Sequence, residues 1–348
     1  MLWLLLACAK PAAVTNVADS HPRVPAPQSP TYAHTVVHPA DTLVAKAWPD
    51  GLDESLCGAA AALGMQLQSG KALDPAELRW RAVLAGYPWP VREMHTQHMA
   101  EDQVPQELLA TAQAHVGEDV GLVRTRDRGG DQWVFLLGAR RGTLPAFPRE
   151  PRLSDVLTFP GADVTAVTPS GETRMYHERL QVDLAGEWLI DLRDAQGEIT
   201  TFPLYVGRLT PQAPPFAGAA SAEAAGDLDE ELLLRLDTLD AWYKREPAER
   251  DPALDAVARA RLRAFAAGQP LPDAARQLAA AGYFDATAGV CRARSIADCL
   301  DVMWWSTSGH AALATRWRTM GMAAVPTADG VAVVVAGADH DTSPQLSP

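Results

Sequence analysis

Apolar residues along this chain keep three different rhythms, and each change of rhythm marks a boundary. From Asp50 to Phe147 the period is mostly helical. Leu56 to Leu67 is an Ala-rich apolar run that predicts a helix broken by Gly70. Asp74-Pro75-Ala76-Glu77 predicts an N-cap with proline at the first helical position, opening a helix through Leu78, Val83 and Leu84. Tyr87-Pro88-Trp89-Pro90 stops it, and Pro105 to Val116 again carries Leu108, Leu109 and Ala112 at helical spacing. Two strand-like runs, Val120–Arg124 and Trp133–Leu137, flank the turn Asp127-Arg128-Gly129-Gly130 and predict a hairpin. An α+β domain is expected over 50–147. Over 150–208 the period shortens to two. Val164, Ala166 and Val167 precede the turn Pro169-Ser170-Gly171-Glu172, and Tyr176, Leu180, Val182 and Leu184 suggest a further pair of strands. Gly186–Leu192 alternates, turns at Asp194-Ala195-Gln196-Gly197 and returns through Thr201–Val206. Short strands at regular turns predict a small β-sandwich.

Thr210-Pro211-Gln212-Ala213-Pro214-Pro215 and the Ala/Gly/Ser stretch after it have no apolar period, so 209–228 reads as a linker. The third rhythm fills 229–338. Leu232, Leu233, Leu236, Leu239 and Trp242 trace one helix, and Asp251-Pro252 opens a second with Leu254, Val257, Ala258, Leu262 and Phe265 on its inner face. Pro272 to Ala281, Ser295 to Trp305 and a short segment from Ser308 complete the helices. Met320–Val325 and Val331–Ala336, joined at Ala328-Asp329-Gly330, predict a terminal hairpin, and 339–348 reads as a disordered tail.

With 348 residues, a chain of two or three domains is expected. Lys plus Arg number 30 against 43 Asp plus Glu, a net charge of −13 that disfavours nucleic acid as a partner. No apolar run reaches the roughly 20 residues that cross a bilayer. Residues 1–7 nevertheless read as a short signal peptide, and Leu5-Leu6-Ala7-Cys8 resembles the bacterial lipobox, which makes Cys8 the expected site of lipid attachment. The following segment, 8–49, is rich in Pro, Ser, Thr and His and reads as an extended tether. Of the remaining cysteines, Cys291 and Cys299 are close enough in sequence to close a short disulfide loop in an oxidising compartment, leaving Cys57 as a small buried apolar residue. No CxxC pair or clustered histidine favours zinc instead. His95 and His98 lie three apart, on one face if helical, yet lack a placed third ligand, so surface histidines are the plainer reading.

Two stretches carry resemblances. GADVTAVTPSGETRMY with AGEWLIDLRDAQGEI resembles the immunoglobulin-like modules of bacterial surface proteins. In the last third, DPALDAVARARLRAF, GQPLPDAARQLAAAGYF, MWWSTSGHAAL and MGMAAVPTADGVAVVVAG stand in the order and at the spacings of the CAP superfamily (cysteine-rich secretory, antigen 5 and pathogenesis-related-1 proteins). That resemblance implies an α-β-α sandwich. Family members with a metal cleft use two histidines and usually two glutamates; here the second histidine falls on His310, the first near Arg261. The glutamate of the family's Gly-Glu-Asn motif falls near Val290 or Cys291. The loop that carries another histidine is shortened to Gly268-Gln269-Pro270. One imidazole holds no zinc and activates no water without further ligands, so the resemblance implies a degenerate domain with His310, Arg261 and Ser308 as a remnant cleft and no metal or cofactor.

Hydrolase elbows, zinc-protease, Walker and dinucleotide fingerprints are missing from the sequence. The expected protein is therefore a non-catalytic lipoprotein of the bacterial cell envelope, placed at the outer membrane facing the periplasm or the exterior. Its domains would bind another envelope protein, a glycan or an apolar small molecule. The competing expectation is a secreted CAP-type hydrolase or metal-dependent protein centred on His310, with missing ligands drawn from His95, His98, His115 or His177. One further comparison stays open: VGLVRTRDRGGDQWVFLLGARRG near residue 120 has the shape of the hairpin near residue 320, by duplication or because hairpins after helices look alike.

Overall fold

A computed structural model describes residues 31–48, 51–70, 75–100, 103, 105–115, 118–127, 129–215 and 227–340. The architecture is mixed α+β. Order begins earlier than the tether reading expects. β1 (Thr31–Tyr32), β2 (Val36–Val37), α1 (Thr42–Ala47) and β3 (Leu52–Asp53) precede the first long helix, α2 (Glu54–Gln68). Tyr32, Val44 and Trp48 are buried, and the Tyr32 hydroxyl donates to the carbonyl of Pro203. Three apolar side chains are enough to anchor a segment whose average composition looks unfoldable. Cys8 lies outside the described residues.

After α2 come α3 (Pro75–Ala85), β4 (Val91–Met99), α4 (Gln106–Gln113), β5 (Val120–Asp127) and β6 (Gly130–Gly138). The three long strands form an antiparallel sheet in the order β4-β6-β5. β4 is a correction to the helical placing of His95 and His98: Pro90 ends the helical period, and on a strand residues three apart point to opposite faces.

The middle segment pairs β7 (Phe147–Pro148) with β1 and then forms one four-stranded antiparallel sheet. Its strands are β8 (Val156–Val167), β9 (Thr173–Gln181), β10 (Gly186–Asp194) and β11 (Gly197–Val206), in the order β11-β10-β8-β9. The immunoglobulin-like sandwich is thus corrected: among the described residues there is no second full sheet opposite this one. Tyr32 and Phe147 from the β1–β7 ribbon pack instead against Phe202, with ring centroids 5.2 and 4.9 Å away. A period-two pattern reports that a face is covered, not what covers it. The linker reading also shortens, because Thr210 is buried and bonded to Glu150 and Arg149.

The last unit contains α5 (Leu228–Trp242), β12 (Glu249–Arg250), α6 (Pro252–Ala266), α7 (Ala274–Ala280), β13 (Thr287–Ala293), α8 (Ile296–Trp304), α9 (Thr307–Ala314), β14 (Trp317–Thr327) and β15 (Gly330–His340). Asp227, Asp251, Asp273, Ser295 and Ser306 each cap a helix by accepting a backbone N–H. The sheet order is β12-β14-β15-β13. Ala332 and Val334 pack with Leu262 of α6, whereas Val331, Val333 and Val335 belong to the core shared with α5, α8 and α9. Helices therefore cover both faces. The strand β15 runs to His340, two residues into the expected tail.

The two α+β units repeat one plan. Both order a 15-residue helix capped by aspartate, a shorter helix, a strand, intervening helix and a hairpin. The hairpin partners Val120↔Leu137 through Asp127↔Gly130 recur as Met320↔Gly337 through Thr327↔Gly330, every position 200 higher. In each unit the hairpin's second strand also pairs the preceding strand, β4 or β13. Ala85-Gly86-Tyr87 and Ala281-Gly282-Tyr283 end the second helix in the same way, with both glycines at positive φ and both tyrosine N–H groups turned back to the helix. At the helix–sheet contact a Cβ on Gly121 would stand 2.5 Å from the Leu56 carbonyl carbon, and one on Gly321 2.4 Å from that of Leu254. Leu56 and Leu254 are each the third residue past their helix cap. Only glycine lets strand and helix backbones approach this closely.

Gly121→Ala and Gly321→Ala should each destabilise the protein by about 1–3 kcal/mol through overpacking. Chemical denaturation of the two single variants checks this, and wild-type midpoints would show that the helices do not press on the strands as described.

Candidate functional site

His310 sits in the first turns of α9, whose start is fixed by Ser306 capping Gly309. The ring is 1% exposed. Its Nδ1 lies 2.9 Å from the Trp304 carbonyl oxygen. A carbonyl only accepts, so Nδ1 carries the hydrogen and Nε2 is left as the bare acceptor. Nε2 faces Glu187 Oε1 at 3.4 Å, without hydrogen-bond alignment. Glu187 comes from β10 of the middle sheet, and its Oε1 accepts from the Tyr243 hydroxyl at 2.8 Å. That hydroxyl in turn accepts from Trp304 Nε1 at 3.2 Å. Trp304 also stacks edge-on against His310 and against Trp80 of α3, so all three units meet here.

The contact has the spacing of an ion pair, but its imidazole is uncharged. Burial pushes the Glu187 carboxyl up to about 7, against the Tyr243 hydrogen bond and the charges of Arg208 and Arg245. Burial pushes His310 down to about 4, against the bond to the Trp304 carbonyl. A neutral imidazole locked into one tautomer and a carboxyl pushed up to about 7 meet here in a buried joint, not in an open cleft.

The other residues expected at a remnant cleft do not gather around it. Arg261 is buried on α6, where its Nη1 donates to the Pro272 carbonyl and Gln277 Oε1 and its Nε is unpaired. Ser308 is exposed on α9. None of the histidines proposed as supplementary ligands is recorded in contact with His310. His95 pairs with Glu93, His115 with Glu118 and Arg92, and His177 with Asp163. His98 is exposed on β4. Glu187 reaches His310 instead, with the Tyr243 hydroxyl on the same carboxylate oxygen, and neither stands out in the sequence as its neighbour. In Gly186–Leu192 the alternation puts Glu187 with Asp191 on the face that reads as solvent-facing, and Tyr243 and His310 of the last unit meet Glu187 there.

Cys291 and Cys299 are also placed differently. Cys291 lies on β13 and Cys299 on α8. The disulfide is corrected to two free buried thiols. The neighbouring Cys291 thiol and burial hold the Cys299 thiol well above its ordinary range. Cys57 is free and buried as expected, its thiol aimed at the Leu122 carbonyl and pushed up to about 12 by burial.

No protein-family model, curated protein or solved structure matches the chain.

Two outcomes follow for these groups. An acid whose folded value is raised contributes its stability below about 4.5 and loses it as pH rises to about 7. Glu187→Gln should therefore gain on wild type across that window, reaching about 2–3 kcal/mol above pH 7. Denaturation at several pH values checks this, and a pH-independent difference would contradict it. Iodoacetamide should leave Cys57, Cys291 and Cys299 of the reduced, folded protein unlabelled and label all three on unfolding. Fast labelling of either Cys291 or Cys299 in the native protein would refute their burial.

Proposed function

We propose that this chain is a non-catalytic, lipid-anchored protein of the bacterial cell envelope. In this reading its C-terminal unit is a degenerate CAP-like domain that works in binding or envelope assembly. The observation that carries the reading is the burial of His310 beneath β10. The one cleft histidine that the resemblance supplies is spent on the joint between units. Two features of the last unit support the resemblance: helices on both faces of its sheet, and MWWSTSGHAAL spanning the end of α8 and the start of α9. The competing reading, a hydrolase or metal-dependent protein at His310, has one observation in its favour. Glu187 supplies an acid 3.4 Å away. The pair is buried and sealed, so the binding reading is preferred.

Anchoring rests on Leu5-Leu6-Ala7-Cys8. Among the described residues no helix is long and apolar enough to cross a membrane. A lipid on Cys8 would hold the folded units at the membrane through the segment before Thr31, leaving their surfaces for an envelope protein, a glycan or an apolar small molecule.

Cys8→Ser should move the protein from the membrane fraction to the soluble fraction and abolish incorporation of labelled fatty acid. A variant that sediments with membranes and retains the label would overturn lipid attachment at Cys8.

A further inference from the structure

The N-terminal unit carries a group of side chains that its C-terminal counterpart does without. His34 follows β1, Asp53 ends β3 and caps α2, and Asp119 immediately precedes β5. His34 Nδ1 stands 2.8 Å from Asp53 Oδ2 and 3.7 Å from Asp119 Oδ2. One ligand atom from each of the three lies within 4.8 Å of the other two. A first-row divalent ion bound at about 2.1 Å sets neighbouring donors about 3.0–3.4 Å apart, between the two spacings seen here. One imidazole nitrogen with two carboxylates is a donor set for Zn²⁺, Mn²⁺ or Fe²⁺. We propose that His34, Asp53 and Asp119 form a binding site for a first-row divalent cation.

The surroundings are those of a supported site. The Leu56 N–H donates to the other oxygen of Asp53 at 2.8 Å. Tyr87 donates to Asp119 Oδ2 at 3.1 Å, and Arg140 Nε reaches both Asp119 oxygens at 2.9 and 2.8 Å. The Leu56 bond holds Asp53 from behind, as outer groups do around a metal, whereas Tyr87 and Arg140 fix Asp119 partly through Oδ2, the oxygen nearer His34, so its Oδ1 is the less shared donor. Both carboxylates are buried, while the His34 side chain is 25% exposed. A surface cavity of about 290 Å³ is lined by His34, Asp53, Asp119 and Arg140, so an ion has access and waters have room to complete its shell. Arg140 offsets one of the two carboxylate charges and leaves the other to attract a cation.

The repeat shows what the scaffold itself requires. In the C-terminal unit Asp251 takes the place of Asp53, and Tyr283, the counterpart of Tyr87, donates directly to it. Thr319 stands where the shared register puts Asp119. Capping the helix and tethering the tyrosine thus take one carboxylate. The second carboxylate and the imidazole are additions confined to the N-terminal unit, and they share no residue with the His310 joint, so this proposal does not depend on the function proposed above.

Titration calorimetry of the chelator-treated full chain with Zn²⁺, and separately with Mn²⁺, tests the site, with His34→Ala, Asp53→Asn and Asp119→Asn alongside. Asparagine still caps a helix, so Asp53→Asn removes ligand charge while keeping the start of α2. Wild type should bind at least one of the two ions, and saturating metal should raise its melting temperature. His34→Ala and Asp53→Asn should each weaken that binding by roughly tenfold or more and lose the melting shift while melting near wild type without metal. Asp119→Asn should do the same where it folds. A wild type that binds neither ion, or His34→Ala and Asp53→Asn proteins that bind as wild type does, would overturn the proposal.

Discussion

Glu187 has no water to turn to, and the arrangement of the whole molecule follows from where it finds partners. It projects from the middle sheet into a joint built by Tyr243 of the α5 end, Trp304 of α8 and His310 of α9. The joint's hydrogen bonds run from Trp304 Nε1 to the Tyr243 hydroxyl, from that hydroxyl to Glu187 Oε1, and from His310 Nδ1 to the Trp304 carbonyl, while Glu187 Oε2 and His310 Nε2 are left without a bond. Leaving a further group unpaired in such surroundings costs about 1–3 kcal/mol, so sliding the middle sheet against the last unit would expose several such costs together. Two buried arginines act in the same sense. Arg149, from the start of the middle segment, donates to the Val83 and Leu84 carbonyls at the end of α3. Arg245 donates to the Leu313, Ala314 and Thr315 carbonyls at the end of α9. Free carbonyls at a helix end attract cations, and here the cation comes from outside the helix it caps. Arg79, stacked 3.8 Å from the Trp305 ring and bonded to the Thr201 carbonyl, links α3 to both other segments.

The repeated unit explains why this joint is not symmetrical. The hairpin register and the glycine contact between helix and strand are common to both copies. Between the strand that precedes the hairpin, β4 or β13, and the hairpin itself, however, the N-terminal copy has α4 among the described residues, whereas the C-terminal copy has α8 and α9. Those two helices supply Trp304 and His310, so only the second copy can meet Glu187. Position for position the copies also trade chemistry. Cys57 faces the Leu122 carbonyl where Asp255 accepts from the Met322 N–H.

Local signals were legible in the sequence and distant ones were not. Asp251-Pro252 and Ser295 read as helix starts because a cap acts within three residues. The turns at Gly130 and Gly330 read as hairpins because their flanking strands are continuous and apolar. The strand around Cys291 has no such local signal: β13 is short, holds Gly289 and Arg292, and gains its strand character by pairing with β15. The sandwich expectation failed for a related reason: Phe202 and Ile190 announce a covered face, but the cover, Tyr32, lies in a segment whose average composition suggests a tether. The meeting of Glu187 with His310, or of His34 with Asp119, depends on the packing of elements far apart in the chain.

The central claim, that His310 is a sealed structural group and not a cleft residue, is tested most directly by imidazole ¹H–¹⁵N correlation spectra across about pH 5 to 8. The account predicts that His310 stays neutral with its hydrogen on Nδ1 throughout that range, beginning to protonate only near pH 4. A His310 ring that titrates near its ordinary value of 6.5 would contradict it and reopen the cleft.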